Sequence, residues 1–413
     1  MCSIYGAFGQ HINSAVLDLI ADEARDRGRD GGRCEFYESD DVNHGGGPRY
    51  LAALGNWRAT PTPELQVGAL QPYDRLVHNG TIANDKELGI LPGEIDSQCL
   101  ARVLNRTSLS AFVDSLSAVK GSYALALFNG QTVLAAVNYK PLYYVKLEGT
   151  IYFSSMARHF IGVLPFGHAP VAVEPYTAID FRTQSVHPLH KTDGKRVVVV
   201  ASAGLDSTVV ATKLVREGWD VCLLHFTYGC LAGRREYESI PKIAEALGCR
   251  YQYLEVDLAQ MLGLRSSTLF GDGSEVVGTI AGAEYAHEWV PARNLVFMSL
   301  AVAWAEAHGY HAVAPGTNLE EAGAYPDNEE GFTTLFGQAV PYAVQAHYGM
   351  RLLTPIGNLM KHEVVKLGLQ LGAPFEHTWS CYKGGLKPCD ACGPDFMRHE
   401  AFRRNGAVDP VFV

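Results

Sequence analysis

The run VVVVASAGLDSTVVATKLV, residues 197–215, constrains the fold of the chain more than any other stretch. Four consecutive valines read as a strand buried on both faces, the habit of a parallel sheet. Ser202, Ala203 and Gly204 then turn the chain directly into a helix after Asp206 that ends near Gly218. The alternation continues. VCLLHF (221–226) is a second strand, and Ile240, Ile243, Ala244 and Leu247 mark one face of a helix closed by Gly248. YQYLEV (251–256) is a third strand. Strand, helix, strand in this order predicts an α/β domain over 197–413, a parallel sheet with helices on both faces.

In such a sheet, ligands bind beyond the carboxyl ends of the strands. Ser202 to Ser207 lie at such an end and at the start of a helix, where free N–H groups and the helix dipole favour an anion. Ser202, Ser207 and Thr208 add hydroxyl donors, and Gly204 lets the backbone come close. The pattern predicts a phosphate loop. The plainer reading is a turn capped by Asp206 or Ser207. The Gly-Lys-Ser/Thr of a Walker loop is absent.

The first half reads differently. GSYALALF (121–128), TVLAAV (132–137) and GTIYFSS (149–155) are short apolar or alternating runs between turn residues, which suits antiparallel sheet. A domain is expected over 2–181, and the polar stretch RTQSVHPLHKTDGKR (182–196) is expected to be a linker. At 413 residues, 47% hydrophobic and 19% charged, the composition is that of an ordinary globular chain. The apolar run Leu295 to Ala305 is too short for a membrane span and reads as a buried helix. No signal segment is evident, so the cytoplasm is the expected location and no membrane partner is expected. Nine cysteines do not suggest a disulfide scaffold. A formal charge of −10 argues against broad nucleic-acid binding, while Arg25, Arg27, Arg29 and Arg33 offer one local basic patch.

SAGLDS (202–207) resembles the SGGxDS loop of the PP-loop ATP pyrophosphatases, with Ala203 in place of the second glycine. That resemblance implies a Rossmann-like PP-loop ATPase domain, with ATP and magnesium as cofactors and ATP cleaved between its α and β phosphates. The remainder of the second half resembles the 7-cyano-7-deazaguanine synthases of the QueC family. The resemblance is carried by FTYG (226–229) with Arg234, Arg235 and Glu236, by VPARNLVFMSLAVAWAE (290–306), and by GTNLEEAGAYPDNEEGF (316–332). LLTPIGNLMKHEVVKLGLQLG (352–372) and TWSCYKGGLKPCDAC (378–392) complete it. It implies an ATP site at Ser202, Gly204, Leu205, Asp206, Ser207, Arg293 and Gly316. Recognition of the base is expected from Asn318, Glu320, Tyr325 and Asp327, a carboxylate suiting the N–H edge of a deazaguanine. Without the family, Tyr325 to Asn328 reads as a turn.

Cys381, Cys389 and Cys392 have the spacing of a structural zinc site, and the motif spans 381–395. The related enzymes carry a fourth cysteine where this chain has Asp395, itself an acceptable ligand, with His399 as a second candidate. The alternative is a degraded site held by packing. Two further departures lie near the expected base pocket. Cys230, Leu231 and Ala232 replace a Gln-Arg-His run, and Asn328 replaces a cysteine.

The chain begins Met1-Cys2-Ser3. Removal of the initiator methionine would leave Cys2 as an N-terminal nucleophile whose α-amino group, of ordinary pKa ~7.7–8.0, serves as its base. Alone, Cys2 reads as a quiet buried cysteine. MCSIYGAFG, RDRGRDGG (25–32), GNWRATP (55–61), HNGTIAN (78–84), EIDSQCL (94–100) and KPLYYVKLEGTIYFSS (140–155) follow in order. Together they resemble the class II glutamine amidotransferase domain. The resemblance implies an N-terminal-nucleophile α+β fold, an αββα sandwich. In it Cys2 attacks the glutamine amide, Asn79 and Gly80 form an oxyanion hole, Arg58 binds the glutamine carboxylate and Asp96 its ammonium. The competing reading of Arg58 and Asp96 is a solvated surface pair. Cys34 and Cys99 read as packing.

A glutaminase joined to an adenylating, deazaguanine-type domain implies nitrogen transfer, with an internal tunnel for ammonia expected between the halves. The combination resembles the glutaminase–QueC fusions of archaeosine formation. The expected reaction converts a 7-cyano group, on the free base or within tRNA or DNA, to a formamidine. The alternative is a glutamine- and ATP-dependent synthase of 7-cyano-7-deazaguanine from the 7-carboxy base. A more distant one is an inactive base-binding regulator, supported only by Ala203 and Asp395. A homo-oligomer is left open.

Overall fold

The computed structural model describes residues 2–28, 30–39, 50–59, 70–165, 168–189, 194–263, 267–270, 288–345 and 350–412. The chain divides into two compact units, with the boundary after Lys191.

The first unit opens with β1 (Ser3–Phe8), α1 (Ser14–Ala24), β2 (Gly32–Glu38), β3 (Tyr50–Trp57) and β4 (Leu76–Ile82). Two helices follow, α2 (Asp96–Val103) and α3 (Leu109–Leu116), then β5 (Gly121–Phe128) and β6 (Val133–Val137). Next come β7 (Tyr143–Leu147), β8 (Thr150–Ser154), β9 (Val171–Ala172), β10 (Thr177–Asp180) and β11 (Val186–Pro188). Among the described residues these strands make two antiparallel sheets, ordered β2-β3-β1-β8-β7-β9 and β11-β10-β6-β5-β4.

Period-two side-chain alternation builds the layers. Ile4 and Phe8 of β1, with Leu54 and Phe153, face Ala124, Phe128 and Val137 of the second sheet. Tyr5 and Ala7, on the other face of β1, pack under Leu17, Ile20 and Ala24 of α1. On the far side, Leu125, Leu127 and Leu134 lie under Leu100, Phe112 and Leu116 of α2 and α3. The result is the αββα sandwich expected. β1 is buried along its whole length because both its faces are covered.

The second unit begins β12 (Arg196–Val200), α4 (Leu205–Arg216), β13 (Asp220–Thr227), α5 (Gly233–Leu247), β14 (Arg250–Glu255) and α6 (Leu258–Leu262). It continues α7 (Arg293–Ala307), β15 (Ala312–Ala314), α8 (Leu319–Ala322) and α9 (Glu330–Ala343). It ends with β16 (Arg351–Leu352), α10 (Lys361–Leu371) and α11 (Gly393–Arg404). The sheet is ordered β14-β13-β12-β15-β16 and every pair is parallel. The order reverses beside β12, and the crevice at such a reversal is where open α/β sheets bind ligands. Val197, Val199 and Ala201 pack one face of the sheet against Val209, Val210, Ile240, Ile243 and Val364.

Two expectations need correction. The stretch 182–196 is not wholly a linker. Val186–Pro188 pairs antiparallel with Thr177–Ile179 as an edge strand, where a proline costs no ladder bond, and Arg196 already belongs to β12. Residues 190–193 lie outside the described residues. The Leu295 to Ala305 helix is not buried all round, since Leu295 and Leu300 are 39% and 37% exposed. Of the arginines of the basic stretch, Arg25 lies over Trp57, Arg27 donates to Met156 and Arg33 pairs with Glu35, and Arg29 lies outside the described residues.

Candidate functional site

The turn after β12 is shaped by its own hydroxyls. Gly204 N–H donates to Ser202 Oγ at 3.3 Å, and Ser202 N–H to Ser207 Oγ at 3.3 Å. Ala203 takes a left-handed φ of 59° and its carbonyl accepts from Trp379 N–H at 2.9 Å. An alanine there carries backbone strain that a glycine would not. α4 then starts at Leu205, so its first N–H groups face the turn. Gly316, just beyond β15, packs against this helix start. A Cβ at that position would lie 2.9 Å from Ser207 N.

Below the turn is a cavity of about 720 Å³. Ser202, Gly204, Leu205, Asp206, Ser207, Arg293, Gly316, Glu320 and Tyr325, all singled out in the sequence, line it. Asn318 and Asp327 do not. Asn318 caps α8 by accepting from Glu321 N–H at 3.0 Å, and Asp327 accepts from Asn294 N–H at 2.9 Å and from its amide at 3.3 Å.

The sequence reading missed the centre of the charge network. Lys361, at the start of α10, donates to Asp206 Oδ2 and Glu321 Oε1, each at 2.6 Å. Burial opposes the lysine charge, but the two carboxylates outweigh it and hold Lys361 protonated. Burial pushes Asp206 up to about 6, with Lys361 opposing. Lys361 holds Glu321 below its ordinary value against the opposing effect of burial. Two carboxylates thus share one ammonium, and Asp206 Oδ1 keeps no partner.

Part of the cavity wall is aromatic. Tyr228, Phe297, Tyr325, Trp379 and Tyr382 line the cavity, and Arg293 donates to Tyr228 Oη at 3.1 Å.

Behind this wall the four atoms offered by Cys381, Cys389, Cys392 and Asp395 lie within 4.8 Å of one another. Three thiols and a carboxylate at that spacing fit a tetrahedral ion with metal–sulfur bonds of about 2.3 Å. Asp395 is 1% exposed and its Oδ1 is unpartnered, as a side chain awaiting an ion would be. His399 turns away, to Asp390 Oδ1 at 2.7 Å.

In the first unit, Cys2 stands immediately before β1, its Sγ 3.6 Å from the Ala59 carbonyl. Asn79 and Gly80 sit in β4, Arg58 follows β3, and Asp96 opens α2. Asp96 is tied to β4, accepting from Ile82 N–H at 3.0 Å. Tyr73 lies within reach of the charges of Cys2, Arg58 and Asp96. Burial raises its phenol, and the charges of Arg58, Asp96, Arg33 and Cys2 all act on it. The Asn79 amide makes no hydrogen bond among the described residues. Gly80 admits no other residue: a Cβ would lie 1.9 Å from the Ser122 carbonyl oxygen. Gln71 grips the His78 backbone through both its amide atoms, at 3.0 and 2.5 Å, and Ser97 holds His78 Nδ1 at 2.9 Å. Tyr73, Gln71 and Ser97 were not singled out in the sequence.

The family model described as queuosine biosynthesis protein QueC matches residues 196–406. The chain belongs to the QueC family. It is 42% identical over 386 residues to the 7-cyano-7-deazaguanine synthase of Sulfolobus acidocaldarius, covering 87% of this chain and 83% of that one. It is 38% identical over 466 residues to 7-cyano-7-deazaguanine synthase 2 of Sulfurisphaera tokodaii, covering 100% of this chain and 99% of that one. The 7-cyano-7-deazaguanine synthase of Koribacter versatilis, 36% identical over 222 residues, is 93% covered by 53% of this chain. The phosphate turn, the cavity and the cysteine cluster all lie within the QueC match. The first unit lies outside it.

Proposed function

We propose that the enzyme is a glutamine-fed amidotransferase acting on the C7 substituent of a 7-deazaguanine, and that it turns a 7-cyano group into a formamidine. One observation carries the reading: the same chain holds an αββα unit with Asn79 unpaired beside Gly80 and a QueC cavity. In the first unit, Cys2 Sγ attacks the glutamine amide while Arg58 and Asp96 hold the two charged ends. The Asn79 amide and Gly80 N–H take the oxyanion, each donor worth roughly 2.7–4 kcal/mol. The tetrahedral adduct collapses with cleavage of its C–N bond, ammonia leaving with the thiol proton relayed by the Cys2 α-amino group, and water then hydrolyses the thioester that remains to glutamate and free Cys2. In the second unit ammonia adds across the nitrile, carbon gaining the new C–N bond and the nitrile nitrogen a proton. Nothing is oxidised or reduced. The base is taken free or within tRNA or DNA.

A second reading is favoured by the network of Asp206, Lys361 and Ser207. That turn suits ATP, with magnesium, and ATP has a task only where the substrate carries an oxygen to activate. A 7-carboxy base supplies one, and two ATP would carry it to the nitrile. The names of the full-length relatives point the same way. In both readings Cys381, Cys389, Cys392 and Asp395 hold zinc, which would fix the loop behind the aromatic wall. A closed site of this kind supplies no catalytic water.

One experiment separates the two. The purified enzyme is given glutamine and ATP with the 7-cyano or the 7-carboxy base, each free and within tRNA or DNA, and products and AMP are followed by mass spectrometry. A gain of one ammonia on the cyano substrate without AMP supports the formamidine. Nitrile and AMP from the carboxy base support the second reading instead.

A further inference from the structure

Glu236 stands on the first turn of α5 and lines the cavity, yet its carboxylate makes no hydrogen bond or ion pair among the described residues. Of the other described carboxylates lining the cavity, Asp206, Glu320 and Glu321 are engaged, while Glu288, whose charge acts on Tyr325, is not. Asp206 and Glu321 share Lys361, and Glu320 accepts from Lys361 N–H at 3.0 Å. Burial pushes the Glu236 carboxyl up to about 7, and the Arg293 charge, acting without an ion pair, only partly offsets this. An unpaired carboxylate beside tyrosines weakens the empty fold. A ligand that brings its own donors would remove that cost.

A 7-deazaguanine brings the matching edge. N1–H and the N2 amine are two adjacent donors, spaced for the two oxygens of one carboxylate, and O6 beside them is an acceptor. Glu236 supplies the acceptors and Arg293, on the same cavity, a donor. We infer that Glu236 reads the Watson–Crick edge of the deazaguanine, one oxygen on N1–H and one on the N2 amine, with Arg293 on the side of O6. The inference rests on the reading of the second unit as a deazaguanine enzyme. It has a consequence for the substrate: this edge must be unpaired, so the base enters free, from a single strand, or turned out of a duplex. C7 is on the five-membered ring, away from the gripped edge, and stays open to reaction.

The test compares two probes in the full-length protein, 7-cyano-7-deazaguanine and 7-cyano-7-deazahypoxanthine, which lacks the 2-amine. Each is offered free and within a single-stranded oligonucleotide, and binding is measured by calorimetry. The wild type is expected to prefer the guanine form at least tenfold. Glu236→Ala should bring the ratio near one, and Glu236→Gln, with one acceptor left, should fall between. Both variants should melt no lower than the wild type, since Glu236 holds nothing in the fold. A preference that survives in Glu236→Ala, or a wild type that binds both probes equally, overturns the inference. A wild type that binds neither probe in either form overturns the deazaguanine reading itself.

Discussion

A side-chain amide that is nearly buried normally finds a partner. Asn79 is 4% exposed and makes no hydrogen bond among the described residues, so its donor is free for the oxyanion that the proposed reaction forms. Asn79→Ala is expected to lower glutaminase turnover by roughly 10²–10³ while the melting temperature stays nearly constant. Ammonia release under saturating glutamine measures the first and calorimetry the second. Glu236 carries a pH prediction. Its carboxyl is raised to about 7 in the fold by burial, with Arg293 opposing, and it adjoins Cys230 and Tyr228. A raised acid favours its neutral form, so its contribution to stability is full below the unfolded value near 4.5 and is lost as pH rises through about 7. Melting scans from pH 5 to 8 should show a wild-type loss that is reduced in Glu236→Gln, and parallel curves would refute it. At this scale, legibility depended on contiguity. Ser202 to Ser207 could be found because one short segment holds them all. Lys361 could not, because its partner Asp206 is 155 residues away and only the fold brings them together.

At the scale of elements, α4 and α10 are joined through that same pair. Removing the charge by Lys361→Met would leave Asp206 and Glu321 buried and unbalanced, and about 3–5 kcal/mol of destabilisation is expected. Chemical denaturation would measure it, and a loss below about 1 kcal/mol would mean that water solvates the pair. The cysteine cluster makes an independent prediction. Metal analysis should find one zinc per chain, and a strong chelator should lower the melting temperature of the metal-loaded enzyme. Asp395→Ala should weaken metal retention more than His399→Ala, because His399 is turned to Asp390. The C-x-x-C spacing made this cluster legible. The edge strand Val186–Pro188 was not, since three residues are too few to display an alternation.

Across the whole molecule, the change from short antiparallel runs to strand–helix alternation was visible as two halves, and the two units bear it out. What stayed hidden was the arrangement of the cavity: Asn318, whose oxygen caps α8, and Asp327, held by Asn294, are not among its lining residues, while Glu236 and Lys361 are. The division of labour predicts a rescue. Cys2→Ala should abolish the glutamine-fed reaction yet retain it when ammonium salts are supplied at alkaline pH, where free ammonia is abundant. Product formation with each nitrogen source decides, and loss of both would place Cys2 in the fold instead. The reversed strand order of the second unit has one more consequence. The phosphate turn follows β12, whereas Glu236 belongs to α5, beyond β13. On the proposed reading, the turn that would take the nucleotide and the carboxylate that would take the base are therefore carried by separate βα crossings. Substitutions in one crossing can then alter the grip on the base while leaving the turn after β12 untouched, so base preference and nucleotide binding are expected to vary independently.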